Sequence, residues 1–158
     1  MTRNDVRLLW LSFAAVAVSG GALGWMRWWC EPADEFALVN HPWQPPVHSL
    51  HVALGPLAIF VLGIVWSSHA RPRLCAGSRP GRRSGILLLA LSLLLVLTGT
   101  AVQVVDAERI REWSGPVHAV LGIGWFAVLL LHAVARVAWR QRLRGLAASP
   151  LRSPPTSA

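Results

Sequence analysis

The hydrophobic positions of the chain are concentrated in four long stretches separated by short polar segments. Each stretch has roughly the 20 apolar residues that a helix needs to cross the ~30 Å hydrocarbon core of a bilayer. All of the charged residues except Arg136 lie outside these stretches. We therefore predict an all-α protein in which residues 1–145 form one transmembrane up-down four-helix bundle, followed by a disordered cytoplasmic tail over residues 146–158. The predicted spans are about residues 8–25, 47–68, 84–105 and 116–139.

The charged residues are distributed unequally between the segments that join the spans. With both termini in the cytoplasm, the inner side holds twelve arginines and one acidic residue, and the outer side holds three arginines and six acidic residues. This asymmetry follows the positive-inside rule and favours a multi-pass protein of the bacterial cytoplasmic (inner) membrane. The net charge of +8 belongs to cytoplasmic loops rather than to one folded face, so we expect membrane lipid and no nucleic acid as a partner.

The first stretch has a basic start and small residues that resemble a signal peptide. Its apolar run is long, so we expect a retained span. The small residues from Ser19 to Gly24 give one end of this helix a low profile. They allow the close approach of either a neighbouring helix or a flat cofactor.

Two of the spans begin with the same short pattern, a histidine followed four residues later by a glycine. The first copy is His51 with Gly55 in the second span, and the second copy is His118 with Gly122 in the fourth. A histidine inside a membrane span is costly and indicates a functional site by default. Two copies flanked by the same glycine make that hypothesis specific.

Each of these two spans also ends with a second histidine. His69 follows His51 by eighteen residues, and His132 follows His118 by fourteen. At about 100° per residue, both intervals return to nearly the same helix face. Because the two spans run in the same direction, His51 pairs with His118 near the outer surface, and His69 pairs with His132 near the inner one.

This arrangement suits two stacked haems, each held between two neutral imidazoles. His51 and His118 are the predicted ligands of the outer haem iron, and His69 and His132 are those of the inner one. Glycines at the depth of the outer site would leave space for the porphyrin, because they carry no side chain. The predicted haem-contacting glycines are Gly55, Gly99 and Gly122.

The predicted inner site is less regular than the outer one. With about 1.5 Å of rise per residue, His69 lies about 27 Å from His51 while His132 lies about 21 Å from His118, a mismatch of about one turn. A tilted porphyrin, a tilted second span or a bend at Pro56 would absorb the difference. Alternatively, His69 lies at the membrane interface and the protein binds a single haem b.

Other roles for the histidines stay open at this point. Each could pack between helices without a ligand, provided that it finds a hydrogen-bond partner. His48 lies one turn before His51 and would replace it as a ligand if the helix began later. His41, His48 and His51 could also form a surface copper or zinc site.

The sequence lacks the other common motifs that indicate a covalent cofactor site or a catalytic centre. Cys30 and Cys75 lie on opposite sides of the membrane in this topology and therefore cannot pair. There is no Cys-x-x-Cys-His, which excludes covalent attachment of c-type haem. There is also no glycine-rich phosphate loop, nucleophile elbow or zinc-protease motif.

The four histidines and the glycines of the third span resemble those of the membrane-embedded di-haem b-type cytochromes. In the four-helix haem core of the cytochrome b of quinol:cytochrome c oxidoreductases, the second and fourth helices each provide two histidines. Gly85 and Gly99, fourteen residues apart, are similar to the glycines that admit haem in that family. The resemblance covers about residues 8–139 and extends to the small cytochrome b subunits that anchor hydrogenases and formate dehydrogenases. The chain lacks the Pro-Glu-Trp-Tyr quinol-site motif of the larger family.

The resemblance implies a membrane subunit that carries electrons between the quinone pool and a periplasmic redox protein such as a c-type cytochrome. Such a chain would be an electron-transfer subunit of a larger membrane oxidoreductase rather than an independent enzyme. Its acidic outer loops would attract a basic c-type cytochrome. Two alternatives stay open: a haem-free anchor or assembly subunit, and a permease for metal ions or protons that uses His41, His48 and His51.

Overall fold

Helices make up all of the regular structure in the described part of the chain. A computed structural model describes residues 2–77 and 81–148. The elements are α1 (Arg3–Trp28), α2 (Gln44–Val65), a π-helical turn (Trp66–Ala70), α3 (Arg71–Cys75), α4 (Arg82–Val104) and α5 (Glu108–Ala148). Four helical segments are long and apolar enough to cross a membrane, which confirms the predicted helical class and the number of candidate spans.

α1 begins five residues before the predicted span because its first turn is capped. The Thr2 hydroxyl accepts a hydrogen bond from the Asp5 backbone N–H at 3.1 Å, and the Asp5 carboxylate accepts one from the Thr2 N–H at 2.7 Å. This reciprocal pair satisfies two backbone donors that would otherwise lack a partner at the helix start. At the other end the helix continues to Trp28.

Two of the three prolines of α2 lie where a helix tolerates them. Pro45 and Pro46 lie in the first turn, where a missing N–H costs no helical hydrogen bond. Pro56 lies inside α2 without ending it. The preceding loop forms turns and bends without a helix.

α5 begins earlier than the sequence predicted. The segment before Pro116 was expected to form a loop, but the helix starts at Glu108 and continues through this proline. A proline removes one backbone donor, while its fixed φ still suits a helix. Two residues before Pro116, the Ser114 hydroxyl donates to the Ile110 carbonyl at 2.6 Å.

α5 also ends later than the sequence predicted. The predicted span ended at Trp139, and the helix continues to Ala148. Arginine, glutamine, leucine and alanine dominate these additional turns, and all four are good helix formers. The first three residues of the predicted disordered tail, 146–148, are therefore helical, and residues 149–158 lie outside the described residues.

The four long helices pack as two antiparallel pairs around a shared core. The first helix pair is α1 with α2, the second is α4 with α5, and α1 also contacts α5. Leu9, Val61, Trp125 and Leu129 are at most 8% exposed and form the buried cluster. Partly buried leucines of α4 pack against it, so that all four long helices contribute to one core.

Tryptophans are concentrated toward the ends of the long helices. Seven of the nine are exposed, whereas Trp125 in the middle of α5 is only 5% exposed. Indole side chains prefer the membrane–water interface, so this pattern is compatible with helices that cross a bilayer. The exposed tryptophans are Trp25, Trp28, Trp29, Trp43, Trp66, Trp113 and Trp139.

Candidate functional site

Two histidines from different helix pairs bring their rings together. The ring centroids of His51 on α2 and His118 on α5 are 6.3 Å apart, and the ring planes are inclined by 80°. Both side chains are partly buried. A pair of imidazoles therefore lies where the two helix pairs meet, at the level that the sequence predicted for the outer site.

The His51 ring packs against a serine and a glycine of α1. The Ser19 hydroxyl lies 2.9 Å from His51 Nδ1, and it lies 2.8 Å from the Ala15 carbonyl oxygen, to which it donates. A Cβ atom on Gly20 would lie only 2.9 Å from His51 Cε1. Glycine is therefore required at this position for the ring to approach α1 so closely.

The His118 ring makes an equivalent contact with α4. Thr98 Oγ1 lies 3.0 Å from His118 Nδ1 and donates to the Leu94 carbonyl at 2.8 Å. A Cβ atom on Gly99 would lie 3.1 Å from His118 Cε1. Gly99, which the sequence placed against a porphyrin, thus lies directly against the imidazole of His118.

His132 makes the third contact of this kind, at the other end of α4. Ser84 Oγ lies 2.7 Å from His132 Nδ1 and donates to the Gly81 carbonyl at 3.2 Å. Cβ atoms on Gly81 and Gly85 would lie 3.2 Å and 3.9 Å from His132 Cε1. Gly81 also has a left-handed φ of 74°, so a side chain there would be strained as well as crowded.

The three contacts share one pattern, a hydroxyl residue followed by a glycine, which we call the hydroxyl–glycine pair. The two pairs on α4 are fourteen residues apart, which is the interval between His118 and His132 on the facing helix. The glycines had drawn attention in the sequence, and the hydroxyls had not. The matching interval is the signal from which they could have been found. The pairs are Ser19-Gly20, Ser84-Gly85 and Thr98-Gly99.

The two glycines of the His-x-x-x-Gly pattern lie beside uncrowded space. Among the described residues, no atom would lie within 4 Å of a Cβ on Gly55. A Cβ on Gly122 would meet only Leu95 Cδ2, at 3.9 Å. One turn from His51 and His118, an added Cβ would therefore meet nothing on α2 and only an ordinary van der Waals contact on α5.

His69 lies in the π-helical turn Trp66–Ala70 rather than in a regular α-helix. A π turn contains additional residues per turn and is often found at functional sites. From the sequence, a tilted porphyrin, a tilted second span or a bend at Pro56 would each absorb the longer histidine interval of this span. The structure adds a departure from α geometry at His69 itself.

The surroundings of His69 and His132 are basic. The two imidazoles interact electrostatically with each other and with Arg73 and Arg136, which follow them by four residues each.

Fourteen residues before Ser19-Gly20, α1 has Asp5 followed by Val6 instead of a second hydroxyl residue followed by a glycine. The pattern that α4 uses twice is thus used only once on α1.

The structure does not bring His41, His48 and His51 together as a group of metal ligands. His41 Nδ1 accepts a hydrogen bond from the Trp43 backbone N–H at 3.1 Å, and its ring lies 6.0 Å from the Trp25 ring. His48 is exposed. Within the described part of the chain, no group of three or more His, Cys, Asp or Glu side chains is placed to hold a metal ion.

A cavity of about 340 Å³ lies beside the contact between Thr98 and His118. Residues of α4 and of the first turns of α5 form its wall. It is a shallow depression that is open to the surroundings, and its wall combines apolar side chains with an arginine, a tryptophan and two hydroxyl residues. The lining residues are Thr98, Arg109, Ile110, Trp113, Ser114 and Val117.

Comparison of the chain with known proteins finds no match. No protein-family model matches it, and no curated protein or solved structure is significantly similar to it. Its function is therefore inferred from the histidines and from the residues that surround them.

Proposed function

We propose that the chain is a b-type cytochrome subunit of a membrane oxidoreductase, which holds two haems and carries electrons between the quinone pool and a periplasmic redox protein. His51 and His118 are the proposed ligands of the outer haem iron, and His69 and His132 are those of the inner one. The observation that carries the proposal is the pairing of the His51 and His118 rings at 6.3 Å.

The separation of these two rings suits a shared metal ion. Two collinear metal–nitrogen bonds of about 2.0 Å, extended to the centres of the imidazoles, separate the ring centroids by about 6 Å. A direct edge-to-face contact between two rings falls in the same range of distances. The hydrogen bonds and the space around the rings therefore decide between a ligand role and a packing role.

Each of the two rings has one nitrogen engaged and one left over. Ser19 contacts Nδ1 of His51 and Thr98 contacts Nδ1 of His118, so that Nε2 is the nitrogen available to a metal. Histidine ligands of metals use their other ring nitrogen in this way. The uncrowded surfaces at the two glycines of the His-x-x-x-Gly pattern add room for a flat macrocycle. These features favour the ligand role.

The proposed inner site differs from the outer one in charge. Arg73 and Arg136 lie near both inner histidines. A guanidinium group pairs with a carboxylate through two parallel hydrogen bonds, so these arginines would hold the carboxylates of the porphyrin. At the corresponding positions, four residues after the outer histidines, the chain has Gly55 and Gly122 instead.

The chain would hold the two cofactors at different depths of the membrane. Fourteen residues of α5 separate His118 from His132, which corresponds to about 21 Å of helix. This length covers most of the ~30 Å apolar core. When bound, haem iron supplies reversible one-electron transfer. The helices contribute fixed ligands near both membrane surfaces.

The proposed orientation follows from the arginines. We propose a four-helix bundle in the bacterial inner membrane, with both termini in the cytoplasm, because twelve of the fifteen arginines then lie on the inner side. The outer histidine pair would face the periplasm. The acidic loops on that side would favour the approach of a basic c-type cytochrome.

The cavity beside Thr98 is the proposed docking place for quinone. A quinone head group is a flat ring with two hydrogen-bond acceptors, and Arg109 and Trp113 provide donors in a wall that also contains two hydroxyl residues and two apolar side chains. The cavity lies next to a residue that contacts His118, so a quinone there would be close to the outer haem. We also propose that the chain is one subunit of a larger membrane complex.

The visible spectrum of the purified full-length protein tests this function. We expect a b-type α-band in the reduced-minus-oxidised spectrum and about two haems per chain by the pyridine haemochrome assay. His69→Ala should lower this ratio to about one, because a single histidine would remain at the inner site. A protein without an α-band would overturn the proposal and favour a haem-free anchor or a permease. A wild-type ratio near one haem per chain that His69→Ala leaves unchanged would show that the chain binds no inner haem.

A further inference from the structure

We propose that the three hydroxyl–glycine pairs fix the tautomer of the histidines that they contact, with the proton on Nδ1 and the lone pair on Nε2. Ser19, Ser84 and Thr98 are then positioning residues, which prepare their histidines to bind a metal through Nε2. The consequences for haem rest on the proposed function, whereas the tautomers themselves do not.

The number of protons at the Ser19 contact determines the direction of its hydrogen bond. The hydroxyl has one proton, and it lies 2.8 Å from the Ala15 carbonyl oxygen and 2.9 Å from His51 Nδ1. A carbonyl oxygen only accepts hydrogen bonds. When the hydroxyl donates to Ala15, His51 Nδ1 must carry a proton and donate it to the hydroxyl oxygen.

At the two contacts on α4 the hydroxyl again lies within hydrogen-bond distance of both a carbonyl oxygen and Nδ1, although at Ser84 the contact with Nδ1 is the shorter one. Thr98 Oγ1 lies 2.8 Å from the carbonyl oxygen four residues earlier and 3.0 Å from His118 Nδ1. Ser84 Oγ lies 3.2 Å from the carbonyl oxygen three residues earlier and 2.7 Å from His132 Nδ1. Three contacts on two helices therefore favour the same tautomer.

The opposite tautomer is unfavourable at the outer site. It would place the ring proton on Nε2 and would leave the Nδ1 lone pair of His51 or His118 facing a hydroxyl oxygen whose proton is donated to a backbone carbonyl. Two acceptor atoms that face each other without a proton between them repel each other. The hydroxyls thus leave a lone pair, rather than a proton, where a metal would bind.

In a haem-bound protein these contacts would also affect the reduction potential. An imidazole whose Nδ1–H donates to an oxygen is a more basic ligand through Nε2. A more basic ligand stabilises the oxidised, more positive metal. Removal of a hydroxyl should therefore raise the midpoint potential of the haem that its histidine binds, and should leave the other haem unchanged.

Thr98→Val is the central variant, because valine keeps the shape of threonine and removes the hydrogen-bond acceptor. Thr100→Val, at an exposed position of the same helix, is the matched control. Thr98→Ser restores a hydroxyl and should restore the wild-type behaviour. Ser19→Ala repeats the test on the other helix pair, so the inference does not depend on the folding of one variant.

The tautomers can be measured on the full-length chain without any cofactor. The protein is produced under haem limitation with isotope-labelled histidine, and the ring nitrogens are assigned by NMR in detergent micelles. We expect Nδ1–H tautomers for His51, His118 and His132 in the wild type, with that of His118 lost in Thr98→Val. Nε2–H tautomers in the wild type, or an unchanged His118 signal in Thr98→Val, would overturn the inference.

Redox titration of the haem-loaded protein is the second measurement. Thr98→Val should raise one midpoint potential, Ser84→Ala should raise the other, and Thr100→Val should change neither. Unchanged potentials in both hydroxyl variants at full haem content would also overturn the inference. If the wild-type chain binds no haem, the proposed function fails, and the NMR measurement still decides the tautomers.

Discussion

Two adjacent glycines of α1 have opposite surroundings. A Cβ on Gly20 would lie 2.9 Å from the His51 ring, whereas no described atom would lie within 4 Å of a Cβ on Gly21. We expect Gly20→Ala to displace His51 and to weaken haem binding at the outer site by about tenfold, as changes next to a metal ligand do. Gly21→Ala is the matched control and should leave haem affinity unchanged. Haem titration measures both, and equal affinities would show that His51 does not need this close approach.

Haem content shows whether His51 or His48 is the ligand of the proposed outer haem. The His51 ring lies beside His118 and contacts Ser19, whereas His48, three residues earlier, is exposed. We expect His51→Ala to lose the outer haem, because one axial ligand is missing, and His48→Ala to retain it. Full haem content in His51→Ala together with loss in His48→Ala would assign the ligand to His48.

At the scale of single residues, the sequence identified the histidines and missed their partners. The helical period places the two histidines of each span on one face, and the common direction of the second and fourth spans places His51 at the level of His118. The contacts of Ser19 and Thr98 depend on how closely two helices approach. That distance is set by packing between helices, which the period of one helix does not specify.

At the scale of helices, Trp125 connects α5 to two neighbours midway between His118 and His132. Its Nε1–H donates to Ser92 Oγ of α4 at 2.8 Å, and its ring centroid lies 4.4 Å from that of Phe13 on α1. Leucine at this position would lose the hydrogen bond and leave unfilled volume. We expect Trp125→Leu to lower the free energy of unfolding by about 3 kcal/mol.

Trp139→Leu, at an exposed position of the same helix, is the control for this variant. It should lower stability much less, since it leaves the core unchanged. Denaturation in detergent micelles, followed by circular dichroism, measures both variants. A similar loss in the two would show that the contacts of Trp125 do not hold the helices together.

The helix boundaries show where local sequence signals fail. Ser114-Gly115-Pro116 has the composition of a helix start, but the preceding residues, from Glu108 onward, are already helical. Local composition is only a weak predictor of a boundary, and Gly115 and Pro116 lie inside the helix rather than at its start. The amino-acid composition of the π-helical turn Trp66–Ala70 does not distinguish it from an α-helix, so the turn could be recognised only in the structure.

At the scale of the whole molecule, the two cysteines give a test of the membrane orientation. Cys30 follows α1 and Cys75 ends α3, and neither forms a disulfide. In the proposed orientation Cys30 faces the periplasm and Cys75 the cytoplasm. We expect a membrane-impermeant maleimide to label intact spheroplasts at Cys30 alone, because the reagent cannot reach the inner surface.

Each cysteine variant then serves as the control for the other. Cys75→Ser should leave the labelling unchanged, and Cys30→Ser should abolish it until the membrane is permeabilised. Labelling that depends on Cys75 instead would place both termini outside the cell. This result would reverse the outer and inner sites without affecting the ligand assignments.

Each hydroxyl–glycine pair lies in the same helix pair as the histidine that it contacts. Ser19 and His51 belong to α1 and α2, and the other two contacts lie within α4 and α5. The α4–α5 half can therefore position His118 and His132, and the α1–α2 half can position His51, during membrane insertion and before the halves meet. Under the proposed function, cofactor loading would then join two prepared halves at a late step of biogenesis. The supply of haem, rather than chain folding, would limit how fast mature protein accumulates.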